Sequence, residues 1–404
     1  MNRNDRAIVA LVMVGHGMVH TYELSIPIFV SVWLAPGSFG ATEATLGLVT
    51  AVGYGLFGLG ALPGGVLADV VGSKRLIVGC LVGMSGAFAL LSVAPGIPVV
   101  ALALLLWGAA ASVYHPSGLS LISRGTEARG SAFAYHGMAG NLGIALGPLL
   151  TATLLLVLDW RQVALALAVP ALLAATVATR IDVDERAAVA DGGDSKADSV
   201  SSLSEFLAGS RALFAGGFLV IFAIVMASGL YYRGVLTFLP EILGGFPSFD
   251  PIELAGQELE PARYVYAGLL MVGIAGQYVG GRLTDRTEPA KALRIAFPAL
   301  AVIALVFLPV ADLGIYAFLA LCAVLGFFLF LVQPLYQAAV AEHTPAGTRG
   351  LSYGYTYLGV FGVGALGGVL AGGLLTFADT GALFLALAGI GLFGGLASLV
   401  LSRR

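Results

Sequence analysis

Twelve long apolar runs constrain this chain more than any other feature of its sequence. A helix needs about 20 mostly apolar residues to cross a bilayer, and each run is of that order. Hydrophobic residues make up 58% of the chain and charged residues 11%, whereas a soluble domain carries roughly 25% charged residues. Since no long alternating strand pattern competes, the sequence predicts an all-α membrane protein with twelve transmembrane helices. The runs are 7–33, 44–69, 75–94, 98–124, 129–158, 161–180, 212–243, 262–284, 291–311, 315–341, 348–377 and 380–402.

Two short motifs occur twice, about half a chain apart. Gly-x-Leu-x-Asp followed by basic residues occupies 65–75 and returns at 281–286, an offset of 216 residues. A segment that begins with Arg-Gly and ends with Tyr occupies 129–135 and returns at 349–355, an offset of 220 residues. This near-constant spacing predicts two pseudo-symmetric six-helix bundles. Internal repeats in a membrane protein of many spans are typical of transporters.

A polar segment rich in Asp, Ser and Gly divides the chain. It predicts an N-terminal bundle at 1–180, a cytoplasmic acidic linker at 181–210 and a C-terminal bundle at 211–404.

Lysine and arginine fall almost entirely in the loops on one side of the predicted helices, and the positive-inside rule assigns that side to the cytoplasm. We therefore expect a multi-pass protein of the cytoplasmic membrane with both termini in the cytoplasm. The first helix is expected to be retained rather than cleaved as a signal peptide.

The chain resembles the major facilitator superfamily over essentially its whole length. The loop after the second run carries the signature of that family and departs from it at Val70 and Ser73, where basic residues are frequent. The resemblance implies the superfamily fold and transport by alternating access, without a cofactor, and it leaves the substrate open. The matching residues are Gly65, Leu67, Ala68, Asp69, Gly72 and Lys74.

A finer resemblance is to the drug antiporters and to the fosmidomycin-resistance branch of the superfamily. Gly143-x-x-x-Gly147-Pro148 on helix 5 is similar to the antiporter motif, although the glycines that usually follow the proline are missing. The resemblance implies export of a small organic compound, anionic or phosphonate-like. The segments similar to the fosmidomycin-resistance branch are Tyr114-His115-Pro116, Gly140-Asn141-x-Gly143, and Phe238-Leu239-Pro240 after Arg233.

Ionisable side chains inside the predicted helices are costly and are therefore candidate functional residues. His16, His20 and Glu23 share one face of helix 1, because they are spaced by four and three residues. The other candidates are His115 on helix 4, His136 on helix 5 and Arg233 on helix 7.

Arg233 stays charged at any ordinary pH and needs a partner inside the membrane. One interpretation is an anion-binding site, in which Glu23 releases Arg233 as the substrate arrives. The alternative is a permanent ion pair between Arg233 and Glu23 that holds the two halves together. A buried ion pair by itself favours neither interpretation.

Glu23 is the candidate proton-coupling group, because a carboxyl group removed from water is protonated more readily. His16, His115 and His136 are further candidates, since histidine titrates in the physiological range. Each of these histidines could instead be a neutral packing residue. Sodium stays open as an alternative coupling ion.

In the superfamily that this chain resembles, helices 1, 4, 7 and 10 line a central cavity. Tyrosines on these helices offer an apolar ring and a hydroxyl, which suit an amphipathic organic solute. The alternative is helix packing, with each hydroxyl bonded to a neighbour. The predicted substrate-binding residues are Arg233, His20, His115, Tyr22, Tyr114, Tyr232, Gln333, Tyr336 and Gln337.

The repeated loop motifs predict conformational gates. Asp69 and Asp285 stand at helix ends, where the N-terminus of a following helix favours a carboxylate. The resemblance implies that such residues latch the two bundles, with Arg129 and Arg349 as partners, whereas ordinary loop capping is the alternative. The predicted gating residues are Gly65, Asp69, Gly72, Lys74, Arg129, Gly281, Asp285, Arg286 and Arg349.

Other classes of function fit the sequence less well. His16-x-x-x-His20 has the ligand spacing of helical zinc proteases, but position 17 is Gly where those enzymes carry the Glu general base. The chain has no Gly-x-x-x-x-Gly-Lys-Ser/Thr motif for nucleotide binding, and its linker is too short for a signalling domain. We therefore predict neither an enzyme nor a sensor, with no cofactor, no resident metal and no nucleic-acid partner.

The sequence thus predicts a monomeric secondary transporter in the lipid bilayer that exports a small organic compound in exchange for protons. Two alternatives stay open. The first is proton-coupled uptake of an organic anion such as a carboxylate, and the second is metal-ion transport through His16, His20 and Glu23. The sequence specifies neither the substrate nor the direction of transport.

Overall fold

Helices occupy all twelve apolar runs in a computed structural model that describes residues 1–188, 203–254, 256–345 and 348–403. The predicted all-α fold class is confirmed. Part of the predicted linker, residues 189–202, lies outside the described residues. The helices are α1 Arg3–Leu34, α2 Glu43–Leu59, α3 Ala61–Val71, α4 Ser73–Ser92, α5 Ile97–Ser112, α6 Tyr114–Gly125, α7 Arg129–Leu154, α8 Trp160–Arg180, α9 Leu203–Phe214, α10 Phe218–Leu236, α11 Leu239–Gly244, α12 Pro261–Thr284, α13 Pro289–Ala311, α14 Ile315–Glu342, α15 Arg349–Tyr357, α16 Leu366–Phe377 and α17 Thr380–Leu401.

Most of the predicted spans satisfy a test of length and hydropathy. Among the described residues, ten helical segments are long and apolar enough to cross a membrane, or eleven if α2 and α3, bent by 49°, form one span. The remaining predicted run corresponds to α12, a helix of 24 residues. The structure is therefore consistent with twelve transmembrane helices.

Several spans are interrupted where the sequence disfavours a regular helix. The span from Ile97 to Gly125 contains the junction of α5 and α6 at Val113, just before His115 and Pro116. Proline lacks a backbone N–H and clashes with the preceding turn, which explains a break at this point. A π-helical segment, Leu358–Val363, joins α15 to α16. Such segments occur frequently at functional sites.

The first of two compact units comprises Met1–Ile26 and Val52–Val200. Side-chain hydroxyls bonded to backbone carbonyls join its helices. Ser85 donates from α4 to the Ala168 carbonyl on α8 at 2.8 Å. Such hydrogen bonds between helices stabilise packing where lipid provides no hydrophobic driving force.

The second compact unit comprises Pro27–Ala51 and Ser201–Arg404. The last part of α1 and the first part of α2 therefore group with the C-terminal helices. The division into bundles at 1–180 and 211–404 stays a prediction from the internal repeat.

Close packing of α2 against α16 within the second unit depends on small residues. A Cβ atom at Gly372 would lie 2.2 Å from the Glu43 carbonyl oxygen, so only glycine permits this approach. The Ala44 N–H donates to the Thr376 hydroxyl at 2.8 Å, and this hydroxyl donates to the Glu43 carboxylate at 3.0 Å. No motif in the sequence marks Glu43 or Thr376.

A small hairpin lies between α11 and α12. Its strands, β1 Ile252–Leu254 and β2 Gln257–Leu259, are antiparallel and pair Ile252 with Leu259. Three-residue strands are too short to give an alternating pattern in the sequence, and they leave the all-α class unchanged.

Candidate functional site

Four histidine rings form a cluster inside the first unit. His16 and His20 come from α1, His115 from the start of α6 and His136 from α7. The His16 ring stacks on the His136 ring with centroids 3.8 Å apart. Its edge-on contact with the His115 ring has a centroid distance of 5.2 Å. The structure thus brings together ionisable residues that the sequence placed on three separate helices.

A chain of hydrogen bonds joins Glu23 to the backbone of α7. Nδ1 of His20 lies 2.5 Å from Oε2 of Glu23, and Nε2 of His20 lies 3.0 Å from Nε2 of His16. Nδ1 of His16 lies 2.7 Å from the carbonyl oxygen of His136. Glu23 is 1% exposed. We call these groups the Glu23–His20–His16 chain, and each of its side chains can bind or release a proton.

Glycines on α7 make this chain possible. A Cβ atom at Gly140 would lie 2.4 Å from Cε1 of His16, so the imidazole occupies space that any larger residue would fill. A Cβ atom at Gly143 would lie 2.2 Å from the Gly17 carbonyl oxygen, and one at Gly147 would lie 2.7 Å from Cα of Thr21. The antiporter-like motif, which ends at the buried Pro148, therefore brings the α7 backbone against α1.

Tyrosine hydroxyls form hydrogen bonds to backbone carbonyls around the Glu23–His20–His16 chain. Tyr114 donates its hydroxyl to the Val12 carbonyl, and Tyr22 donates to the Leu167 carbonyl at 2.7 Å. These two predicted substrate-binding tyrosines thus have the backbone partners that the packing alternative requires. Tyr54, which the sequence analysis did not single out, donates to the Glu23 carbonyl at 2.9 Å.

His136 contributes to the cluster in two ways. Its carbonyl oxygen ends the hydrogen-bonded chain, as described above. Its side chain is 6% exposed, and its Nε2 atom has no hydrogen-bond partner among the described residues. A buried polar atom of this kind is available to a solute or a water molecule.

Arg233 lies in the second unit, near the end of α10, and is 1% exposed. Its guanidinium carbon is 5.3 Å from the centroid of the Tyr232 ring and 6.0 Å from that of Phe361. Phe361 belongs to the π-helical segment. Aromatic faces attract cations by their quadrupole, so these two rings help to keep a permanent positive charge at membrane depth.

The predicted polar residues of α14 differ in exposure. Tyr336 is 4% exposed, Gln333 is half-buried and Gln337 is exposed. The amide nitrogen of Gln277 on α12 donates to the Gln333 side-chain oxygen at 3.5 Å. Gln333 therefore already has a neighbour that would compete with a solute.

The first loop motif forms an ion pair within its own unit. Asp69 pairs with Arg124 at the end of α6, a residue that the sequence analysis did not select. Arg129, the predicted partner, instead donates to the Ala188 carbonyl at 3.3 Å. Gly65 is exposed, and Gly72 has φ of +95°, which strongly favours glycine in the turn from α3 to α4.

Glu185, just after α8, caps the start of α4. The backbone N–H groups of Ser73 and Lys74 donate to its carboxylate at 2.8 and 2.9 Å. The Lys74 ammonium donates to the Ile181 carbonyl at 2.5 Å. A carboxylate at a helix N-terminus satisfies free N–H groups and complements the helix dipole. Lys74, a predicted gating residue, therefore also holds the segment that follows α8, where the predicted linker begins.

The second copy of the loop motif lies at the end of α12. Gly281 is inside that helix, and Asp285 and Arg286 follow at exposed positions. Arg349 begins α15, but its side chain lies outside what the structure describes. The proposed gating role of these residues stays a prediction.

Comparison with known proteins identifies relatives over most of the chain. The family model described as the Major Facilitator Superfamily matches residues 12–368. An uncharacterised MFS-type transporter of Bacillus subtilis (strain 168) is 26% identical over 387 residues, which cover 91% of this chain and 88% of the relative. An uncharacterised MFS-type transporter of Mycobacterium tuberculosis (strain H37Rv) is 38% identical over 138 residues, which cover 33% of this chain. That match spans only 32% of the mycobacterial protein.

The fold is also similar to solved transporter structures. The crystal structure of a nucleoside transporter superposes with a TM-score of 0.75, covering 99% of this chain and 100% of the other, at 12% sequence identity. At this level of identity the similarity shows the fold alone.

The metal-ion alternative is not favoured. Nitrogen atoms of His16, His20 and His115 lie within 4.8 Å of one another. However, the Nε2 atoms of His16 and His20 already face each other in a hydrogen bond, and their Nδ1 atoms face oxygen acceptors. A metal ion would have to break the bond between the two rings. The matching family and the relatives above give no indication of a metal substrate.

Proposed function

Because the chain belongs to the Major Facilitator Superfamily, whose members are membrane transporters and not enzymes, we propose that it exports a small organic anion in exchange for protons. It acts as a monomer in the cytoplasmic membrane, with both termini in the cytoplasm. The superfamily membership leaves substrate, coupling ion and direction open, and the residues described above support a choice for each.

The buried Glu23–His20–His16 chain is the observation that carries proton coupling. Glu23 is 1% exposed and contacts an imidazole at 2.5 Å. A carboxyl group in such a place is costly unless a proton or a partner neutralises it. The protonation state of Glu23 therefore depends on the groups that surround it. A conformational change that alters those groups also changes proton binding, and this is the requirement for proton coupling. His115 and His136 adjoin the same chain and supply further titratable groups.

Arg233 supports an anionic substrate. It carries a positive charge that no ordinary pH removes, and its planar guanidinium can bind a carboxylate or phosphonate through two parallel hydrogen bonds. Tyr232 and Tyr336 offer aromatic surface in the same unit, with Gln333 and Gln337 as polar groups on α14. An organic anion with an apolar part matches this set.

In the proposed cycle, the anion and the proton bind alternately. Charge alone favours the uptake alternative, because release of the proton leaves a negative charge at the Glu23 site, and this charge disfavours a bound anion. The antiporter-like segment from Gly143 to Pro148 supports exchange over co-transport, by its similarity to exporters. Asp69 and Asp285 act as latches between conformations, with Arg124 as the partner of Asp69.

A test in proteoliposomes separates exchange from co-transport. The purified protein is reconstituted, and accumulation of fosmidomycin and of small carboxylates is measured under an imposed pH gradient. An acidic interior should drive these anions inward if protons leave in exchange. An acidic exterior should drive them inward if protons enter with them, which would establish the uptake alternative. This sign does not depend on the orientation of the protein in the membrane.

Glu23→Gln is the informative variant in this assay. It should lose accumulation driven by the pH gradient while retaining anion exchange at equal pH. Glu253→Gln on the exposed hairpin is the matched control and should behave as wild type. Gradient-driven accumulation that survives in Glu23→Gln would refute coupling through Glu23.

A further inference from the structure

Three hydrogen bonds link Glu23, His20, His16 and the His136 carbonyl oxygen. Each bond needs one hydrogen, yet a neutral imidazole carries a single N–H hydrogen. The two imidazoles therefore supply two of the three hydrogens. The third must come from a protonated carboxyl group at Glu23 or from an imidazolium. The chain is complete only when it holds one additional proton.

The His136 carbonyl oxygen determines which atom carries the hydrogen in each of the three bonds. A carbonyl oxygen accepts and cannot donate, so Nδ1 of His16 must carry a hydrogen. When His16 is neutral, its Nε2 offers a lone pair, and the hydrogen between the rings belongs to His20. Nδ1 of a neutral His20 then offers a lone pair as well, so Glu23 provides the remaining hydrogen. If His16 or His20 is instead doubly protonated and Glu23 is ionised, the three groups still carry three hydrogens in total.

We infer that Glu23, His20 and His16 form one shared proton-binding site, and that the structure corresponds to its occupied form. This inference rests on the proposed proton coupling and extends it, because the proton belongs to the chain rather than to Glu23 alone. His16 is a positioning residue: its hydrogen bond to the α7 backbone determines which nitrogen of a neutral His20 carries the hydrogen.

Release of the proton has a structural consequence. The O–H bond of Glu23, or an N–H bond of an imidazolium, breaks; the proton passes to water, and the site becomes one unit more negative. Two hydrogens then remain for three contacts. With His16 held by the carbonyl oxygen, the single hydrogen of neutral His20 serves either the contact to Glu23 or the contact to His16. The other contact then brings two lone pairs together and must open. Proton release is thereby linked to a movement of side chains on α1.

Neighbouring groups from three other helices affect this site. His115 on α6 has its ring centroid 5.6 Å from that of His20, and His136 on α7 stacks on His16. Tyr114 on α6 also stacks on His16, at 5.5 Å. From α2, Tyr54 donates to the Glu23 carbonyl. A second proton on His115 or His136 would repel the shared proton, so variants at these two positions belong in the test.

The inference is tested by ¹⁵N NMR of the full-length protein in lipid nanodiscs, with ¹⁵N-labelled histidine. The nitrogen shifts report which ring atom carries hydrogen. His16 should carry it on Nδ1, and His343 provides an internal reference because its Nδ1 faces the Ala339 carbonyl at 3.0 Å. A pH titration should show one step at which the His16 and His20 signals change together. Signals are assigned by single His→Gln variants, which include His115→Gln and His136→Gln.

Two outcomes in spectra of the wild-type protein would overturn the inference, with the variants needed only to assign the signals. One is a hydrogen on Nε2 but not on Nδ1 of His16. The other is a titration in which His16 and His20 respond at different pH or fail to respond. In Glu23→Gln the side-chain amide can donate to His20, so the shared step should disappear.

His16→Gln separates a positioning role from a structural one. If His16 orients His20, this variant should give His20 a mixture of the two neutral forms, while a purely structural His16 would leave the His20 signal unchanged. Failure of the inference is distinct from failure of the proposed function. The former appears in the NMR spectra alone, whereas the latter appears as normal gradient-driven transport by Glu23→Gln.

Discussion

Nε2 of His16 and Nε2 of His20 lie 3.0 Å apart on successive turns of α1, so a single hydrogen occupies the space between two rings that would otherwise repel each other. His16 is also bonded to the backbone of α7. The position of α7 relative to α1 therefore bears directly on proton binding, and changes on α7 should alter it.

Gly140→Ala should damage this contact. The added methyl group would lie 2.4 Å from Cε1 of His16, which forces the ring away from the His136 carbonyl. Overpacking of this kind costs about 1–3 kcal/mol of folding free energy, and proton-driven accumulation should fall. Gly137→Ala on the same helix is the control, because a Cβ atom there meets nothing within 4 Å. Thermal unfolding in detergent and the liposome assay measure both effects, and equal behaviour of the two variants would contradict the packing argument.

Tyr54→Phe should remove a hydrogen bond that holds the backbone of Glu23 in position. The variant removes the hydroxyl that donates to the Glu23 carbonyl, at a cost of about 1 kcal/mol in stability. Tyr22→Phe removes an equally buried hydroxyl that donates to Leu167 and should cost a similar amount. We expect only Tyr54→Phe to shift the pH dependence of transport, as recorded by initial rates across a pH series. A shift of the same size in Tyr22→Phe would attribute the effect to general destabilisation.

Arg233→Ala should weaken binding of organic anions by about 10–100-fold, since a hydrogen bond to a charged group contributes about 1.5–3 kcal/mol. Arg233→Lys keeps the charge but loses the paired donors, so it should recover only part of the affinity. Ligand-induced thermal shifts with fosmidomycin and small carboxylates measure this, and Arg180→Ala at an exposed position is the control. Unchanged shifts in Arg233→Ala would assign Arg233 a structural role.

Asp69→Asn should slow the transport cycle more than it weakens substrate binding. The Asp69 and Arg124 side chains are 36% and 32% exposed, and an ion pair with that exposure contributes about 0.2–1 kcal/mol to stability. A double-mutant cycle with Arg124→Gln should show coupling in the maximal transport rate. Loss of affinity alone, or additivity of the two variants, would exclude the latch.

Much of the fold follows from the sequence. Runs of apolar residues predict the helices because a membrane allows few other structures to satisfy backbone hydrogen bonds. The same pattern does not show where a span is interrupted, as at Gly60 between α2 and α3, or in the π-helical segment from Leu358 to Val363. At Gly60 a neighbouring helix lies close, since a Cβ atom there would be 2.3 Å from Oγ of Ser112 on α5, and the apolar pattern does not contain that information.

The sequence predicts the types of residue at the candidate site, but it does not predict the hydrogen bonds and ion pairs between them. Helical spacing places His16, His20 and Glu23 on one face, and the cost of an ionisable side chain inside an apolar run makes His115 a candidate. The bond to the His136 carbonyl, by contrast, depends on how closely α7 approaches α1. For the same reason the sequence favoured Arg129 as the partner of Asp69, whereas Arg124 from the adjacent α6 occupies that place.

The Glu185 carboxylate on the first turn of α4 has a practical consequence for protein engineering. Together with the hydrogen bond from the Ala188 N–H to the Arg124 carbonyl at 3.0 Å, it ties the chain leaving α8 to the start of α4 and the end of α6. A reporter or crystallisation partner inserted at 181–188 would displace a helix cap. An insertion site after 188 spares these bonds, so the segment open to fusion is shorter than its acidic composition implies.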